Sequence, residues 1–167
     1  MTAQHIINSI EFARKSHQIH GTIANSQLVR VKDLLASVEG GLDWRLSGEV
    51  SADQKLKLNL SLVGEIVVPC QRCLEPMKLP IDIESSFILV KDEADIPEDV
   101  DDSDDFDYLV ANAELDVMQL VEDEVLLAIP YAPKHDAKDC PVDEALGDSK
   151  KPNPFAVLRD FKKVVKN

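Results

Sequence analysis

Four residues in two short clusters carry the chemistry that this sequence offers. Cys70 and Cys73 form a C-x2-C pair inside Val67-Val68-Pro69-Cys70-Gln71-Arg72-Cys73-Leu74-Glu75-Pro76, and the remaining cysteine, Cys140, closes an H-x4-C pair with His135. A C-x2-C spacing lets two thiolates reach one ion from a single tight turn, and a structural zinc takes four tetrahedral ligands from such groups. Cys70, Cys73, His135 and Cys140 are therefore the candidate metal ligands, with structural zinc as the candidate ion. Two other readings stay open. The cysteines can be partly buried thiols on a β-turn, with His135 and Cys140 as ordinary loop residues. A redox pair is disfavoured, because a reactive C-x2-C opens a helix, which lowers the first thiol's pKa. Here Glu75 and Pro76 follow, and strand alternation resumes at once.

No catalytic arrangement accompanies these residues. The sequence has no H-E-x-x-H, no G-x-S-x-G and no glycine loop of phosphate-cradling spacing. Four protein ligands leave no exchangeable position for metal-assisted hydrolysis. The expectation is a protein without catalytic residues, organic cofactor or small-molecule substrate.

The elements that must position the clusters are mostly strands. Leu42, Trp44, Leu46, Gly48 and Val50 alternate with polar residues, Ser51 to Gln54 makes a turn, and Leu56, Leu58, Leu60 and Leu62 continue with period two. Gly64 is expected to mark a bulge or bend before Glu65 to Val68 leads into Cys70. Alternation resumes at Met77 to Ile83, and Phe87 to Val90 ends the sheet, so the C-x2-C occupies a turn between two strands. Upstream, the spacing predicts a helix over 4–15 with Thr2 as a cap, and a brief strand over 18–23. A second helix is expected from Asn25 or Ser26 to about Ala36, with Leu28, Val31, Leu34 and Leu35 on its apolar face. Downstream, 108–110 reads as an edge strand. Asp116 caps a helix with Gln119 three residues on, and Val117, Leu120, Val121, Leu127 and Ala128 form its buried stripe. Pro130 and Pro133 stop that helix and send the chain, extended, into the His135–Cys140 cluster. Asn153 and Pro154 start a basic terminal helix over about 154–165, with Phe155, Leu158, Phe161 and Val165 on one face.

At 167 residues the chain suits one domain, residues 1–167, of α+β class. The architecture expected is a small antiparallel sheet built from Leu42 to Val90, packed with helices from both termini and stapled by zinc. The net charge of −13 is uneven. Residues 91–107 hold ten acids and one lysine and read as a mobile acidic loop, whereas 149–167 hold six basic residues and one acid. Aromatic content of 5% and the strongly negative net charge argue against a general nucleic-acid face. There is no apolar run of transmembrane length and no signal-peptide pattern, and three cysteines suit a reducing compartment, so a cytoplasmic protein is expected.

Four separated motifs carry a resemblance that spans nearly the whole chain. They are Cys70-Gln71-Arg72-Cys73, Leu120-Val121-Glu122-Asp123-Glu124-Val125-Leu126-Leu127-Ala128-Ile129-Pro130, His135 through Cys140, and Lys151-Pro152-Asn153-Pro154-Phe155-Ala156-Val157-Leu158. With these the chain resembles the YceD family, the large ribosomal RNA subunit accumulation proteins. The resemblance implies a bacterial cytoplasmic ribosome-biogenesis factor supporting accumulation of large-subunit (23S) ribosomal RNA, with no enzymatic activity attached. An acidic chain suits an adaptor or assembly factor that engages a basic ribosomal protein, or another assembly factor, through its acidic loop and a Glu122-Asp123-Glu124 face. Direct contact with ribosomal RNA through Arg72 and the basic terminal helix is the alternative. A metal-dependent RNA hydrolase is a third reading.

Overall fold

The leucine stripe of the central hairpin lies in the middle of a five-stranded sheet. In the computed structural model, residues 5–97, 106–136 and 139–140 are described. Strand β1 (Ile6–Ile7) is followed by helix α1 (Ser9–Arg14) and strands β2 (Gln18–Ala24), β3 (Gly41–Val50), β4 (Leu56–Pro69) and β5 (Pro76–Val90). Then come β6 (Asp107–Val110), β7 (Leu115–Asp116) and helix α2 (Val117–Ala128). Strands β2 to β5 form an antiparallel meander, β6 joins β5 in parallel, and β1 pairs with β7 in a separate two-stranded ribbon.

Period-two alternation puts one face of this sheet in the core. Leu42, Trp44, Leu46, Leu58, Leu60, Leu62, Ile66 and Val68 are buried together with Ile81 and Phe87. Phe12 and Ala13 of α1, and Val117, Leu120, Val121 and Val125 of α2, complete the cluster. The opposite face is polar. Thr22 donates to Asp43 at 2.6 Å, and Asn59 bridges Glu49 at 3.1 Å and Ser86 at 2.8 Å. One-sided burial of this kind is the usual economy of an antiparallel sheet.

Strand lengths decide where the C-x2-C turn sits. Strand β3 pairs with β4 only as far as Gly64, whereas β4 and β5 stay in register out to Pro69 opposite Pro76. The β4–β5 hairpin thus runs on beyond β3 and carries the cysteines at its tip. An isolated bridge from Ser37 to Val67 and a 2.8 Å bond from the Ala36 N–H to the Val67 carbonyl occupy the edge that β3 vacates.

Several elements differ from expectation, each for a local reason. Gly64 makes no bulge: β4 is continuous through it, paired with Leu42 on one side and Ile81 on the other. A Cβ there would lie 2.7 Å from Leu42 Cδ2 and 2.8 Å from the Gly41 carbonyl, so the residue is small because strands approach closely. The first helix is shorter than 4–15. Ile6 and Ile7, β-branched, pair with β7, and Asn8 caps α1 by accepting from the Glu11 N–H at 3.1 Å. Thr2 lies outside the described residues. The helix expected from Asn25 to Ala36 is absent, and two 3-10 turns, Asn25–Gln27 and Lys32–Leu34, stand in its place. The cause is Asn25, whose buried side chain donates to the carbonyls of Glu39 at 2.7 Å and Glu65 at 3.2 Å and pins the loop to β4. Leu28 and Val31 are nonetheless buried, as their spacing demanded, whereas Leu34 is exposed.

The helical layer is therefore thinner than the α+β architecture expected. Among the described residues the fold is mostly sheet, with one short helix and one of 12 residues. The predicted helix over 154–165 and residues 98–105 of the acidic loop lie outside the described residues. Of that loop, Glu93–Asp95 form a 3-10 turn capped by Asp92, and Phe106 leads into β6, which Asp107 opens. The expected edge strand is present as β6. Helix α2 begins at its predicted cap, Asp116 accepting from Met118 and Gln119. Its stripe is Val117, Leu120, Val121 and Val125, and Leu127, expected inside, is 80% exposed because two residues past Val125 place it about 200° round the helix from that seam. Gly48 seats α1: a Cβ there would lie 2.5 Å from the Phe12 carbonyl and 2.6 Å from Ala13 Cα.

Candidate metal centre

The hairpin tip folds into a tight hydrogen-bonded loop. The Cys70 N–H donates to the Glu75 carbonyl at 2.9 Å and the Leu74 N–H to the Cys70 carbonyl at 2.8 Å. Leu74 adopts a left-handed φ of 66°, which turns the chain back into β5. The flanking prolines end the ladder, so the backbone groups between them are free to bond within the turn. The Arg72 N–H points at Cys70 Sγ, 3.4 Å away.

The segment after α2 reaches this loop through main-chain contact. Ile129 and Pro130 end the helix, and the Gln71 N–H donates to the Pro133 carbonyl at 2.8 Å. His135 Nδ1 then lies 3.4 Å from Cys73 Sγ. A turn closed by the Asp139 N–H on the Asp136 carbonyl, at 3.0 Å, delivers Cys140 to the same place. The ligand atoms of Cys70, Cys73, His135 and Cys140 all lie within 4.8 Å of one another. Cys70 and Cys140 are buried, and Cys73 and His135 are half-buried. The four residues singled out by spacing are thus brought together, although they come from hairpin tip and post-helix segment.

This donor set fits a tetrahedral ion. Zinc–sulfur bonds of about 2.3 Å imply sulfurs about 3.8 Å apart, so the groups need close by no more than about 1 Å. Their electrostatics point the same way. Burial pushes the Cys70 thiol up, but the backbone donors of Cys73, His135 and Arg72 outweigh it and hold its pKa at about 5. Burial pushes Cys73 up, opposed by the backbone at Glu75, and its thiol neighbours Cys70 and Cys140 push it further. One thiolate is thus ready at neutral pH, and a cation among the three would favour ionising the rest.

The guanidinium of Arg72 is part of this cluster, a role its position in the sequence did not disclose. Its Nε donates to Cys140 Sγ at 3.0 Å and its Nη2 to the His135 carbonyl at 3.4 Å. In the alternative reading Arg72 contacts RNA; in the fold its guanidinium is engaged at the cluster. The Glu122-Asp123-Glu124 triplet also makes contacts within the fold. Glu122 is only 7% exposed and accepts from the Arg30 N–H at 3.3 Å, Asp123 pairs with the Arg30 guanidinium, and Glu124 accepts from Ser85. All three acids make contacts within the fold, with Arg30 of the loop before β3 and with Ser85 of β5.

Comparison with known proteins now bears on the cluster. The family model described as large ribosomal RNA subunit accumulation protein YceD matches residues 58–162, well over half of the chain. The chain belongs to the YceD family. All four candidate ligands fall inside the matched span. A relative from Haemophilus influenzae, named large ribosomal RNA subunit accumulation protein YceD, is 29% identical over 166 residues, which cover 93% of this chain and 94% of the relative. No solved structure matches the chain. Among the described residues, no helix is long and apolar enough to cross a membrane.

Proposed function

We propose that this protein is a cytoplasmic ribosome-biogenesis factor that supports accumulation of large-subunit (23S) ribosomal RNA, acting as one domain and as a non-enzymatic adaptor or assembly factor. Family membership carries this reading. A zinc ion on Cys70, Cys73, His135 and Cys140 staples the β4–β5 tip to the segment after α2, and its role is structural. Convergence of four soft or borderline ligands within 4.8 Å supports this. The partner is a basic ribosomal protein or another assembly factor. A net charge of −13 favours such a surface over a phosphate backbone. The acidic run of residues 91–107, together with the Glu122-Asp123-Glu124 face, is the stretch whose charge suits it. RNA hydrolysis is disfavoured, since a centre with four protein ligands holds no position for an activated water.

The role is tested by deleting the gene in the host and measuring 23S relative to 16S ribosomal RNA. A fall in that ratio, restored by the wild-type chain, is expected. An unchanged ratio would overturn the reading. Crosslinking from the tagged protein separates the partner classes: a ribosomal protein or assembly factor supports the adaptor. Recovery of RNA alone, at low salt and lost on charge reversal of Lys162, Lys163 and Lys166, would replace it with direct RNA binding.

A further inference from the structure

We propose that Arg72 is the positioning residue and the built-in counter-charge of the metal centre. The inference rests on the zinc reading above. Three thiolates and a neutral imidazole around a divalent ion leave one negative charge in excess. A half-buried site keeps such an excess only at a cost, because solvent cannot fully screen it. A guanidinium is already in contact with the cluster and supplies one positive charge of fixed protonation.

The geometry also assigns Arg72 a mechanical part. It lies between the two cysteines of the turn, and its own N–H faces Cys70 Sγ at 3.4 Å. Its side chain reaches across to the other segment, with Nε on Cys140 Sγ at 3.0 Å and Nη2 on the His135 carbonyl at 3.4 Å. One residue therefore touches the first ligand and both members of the distant pair. Cys140 is 68 residues away in sequence, so its thiol is the ligand whose placement owes most to tertiary contact. The planar fork fixes the spacing between Cys140 Sγ and the His135 carbonyl. An ammonium has three donors but no fixed fork, so it does not set that spacing. A cation donating to a thiolate also draws electron density from its sulfur, which lowers its nucleophilicity and suits a closed structural site.

The test uses the full chain loaded with zinc and, separately, with cobalt(II). Zinc affinity is measured by competition with a chromophoric chelator for wild type, Arg72→Ala, Arg72→Lys and Arg72→Gln. Loss of an outer-shell partner weakens metal affinity by about 10–100-fold, so Arg72→Ala is expected in that range, with about one ion still bound per chain at saturation. Arg72→Lys restores charge without the fork and falls between Arg72→Ala and wild type. In the cobalt form, removing the donor from Cys140 Sγ moves the thiolate-to-metal charge-transfer band of Arg72→Ala to lower energy. A residue that merely filled space would leave that band in place. Wild-type zinc affinity and an unshifted cobalt band in Arg72→Ala overturn the inference. Should Arg72→Ala fail to fold, Arg72→Gln and Arg72→Lys carry the same comparison, and wild-type values in both overturn it equally. Failure of the zinc reading itself is distinguishable, because wild type would then bind neither ion.

Discussion

Removing the metal, or one of its ligands, should loosen two parts of the molecule together. The staple joins Cys73 to His135 across 62 residues. In the chain-entropy picture, a cross-link over a loop of that length removes about 4 kcal/mol of freedom from the unfolded chain. Zinc held by cysteines in the unfolded state reduces this, so about 2–4 kcal/mol is expected for His135→Ala or for chelation. With a urea dependence of about 2 kcal/mol per molar, the unfolding midpoint falls by roughly 1–2 M. The assay is urea unfolding of wild type and His135→Ala, with zinc and with chelator, alongside amide hydrogen exchange. The Gln71 N–H, bonded to the Pro133 carbonyl, spans both segments and should exchange faster without the ion. Amides deep in β3, such as that of Leu46, should change little. A chelated protein with verified metal loss, an unmoved midpoint and a still-protected Gln71 amide would refute the staple.

The other expectations concern the scaffold. Gly48→Val should destabilise by about 1–3 kcal/mol or more, since its Cβ meets backbone atoms of α1 at 2.5 Å, and thermal unfolding reads this directly. Asp116→Ala loses the cap on the Met118 and Gln119 N–H groups and should cost about 1 kcal/mol, with Asp116→Asn largely restoring it. Leu60→Ala, at a fully buried position of β4, should cost about 2–5 kcal/mol in denaturant unfolding. Asp53, bonded by Ser51 and Lys55, has its pKa lowered from 3.8 to about 2. Its contribution to stability is therefore present above about pH 4 and is lost as pH falls through about 2. Carboxyl-carbon titration by NMR checks the value, and Ser51→Ala should bring it back toward 3.8.

Much of this protein was legible from local pattern. The leucine alternation of β3 and β4 named its own buried face, because a period of two leaves one choice of side, and Asp116 marked its helix start because an unpaired N–H needs an acceptor. The Cys70–Cys73 pair was readable as ligands from spacing alone, since both groups lie in one turn. Elsewhere, tertiary contact outweighed local preference. Asn25 traded a helix for hydrogen bonds to Glu39 and Glu65, and Ile6 and Ile7 joined β7, 108 residues or more away. Glu122, one of three adjacent acids, is buried where the Arg30 N–H meets it, which its local sequence does not show. That His135 and Cys140 meet the hairpin tip, and that Arg72 turns inward to join them, follows from how far β4 and β5 outrun β3 and where α2 ends. Spacing records which groups can share an ion within one turn. Only the folded chain, by lowering the entropy of bringing distant segments together, decides which turns meet.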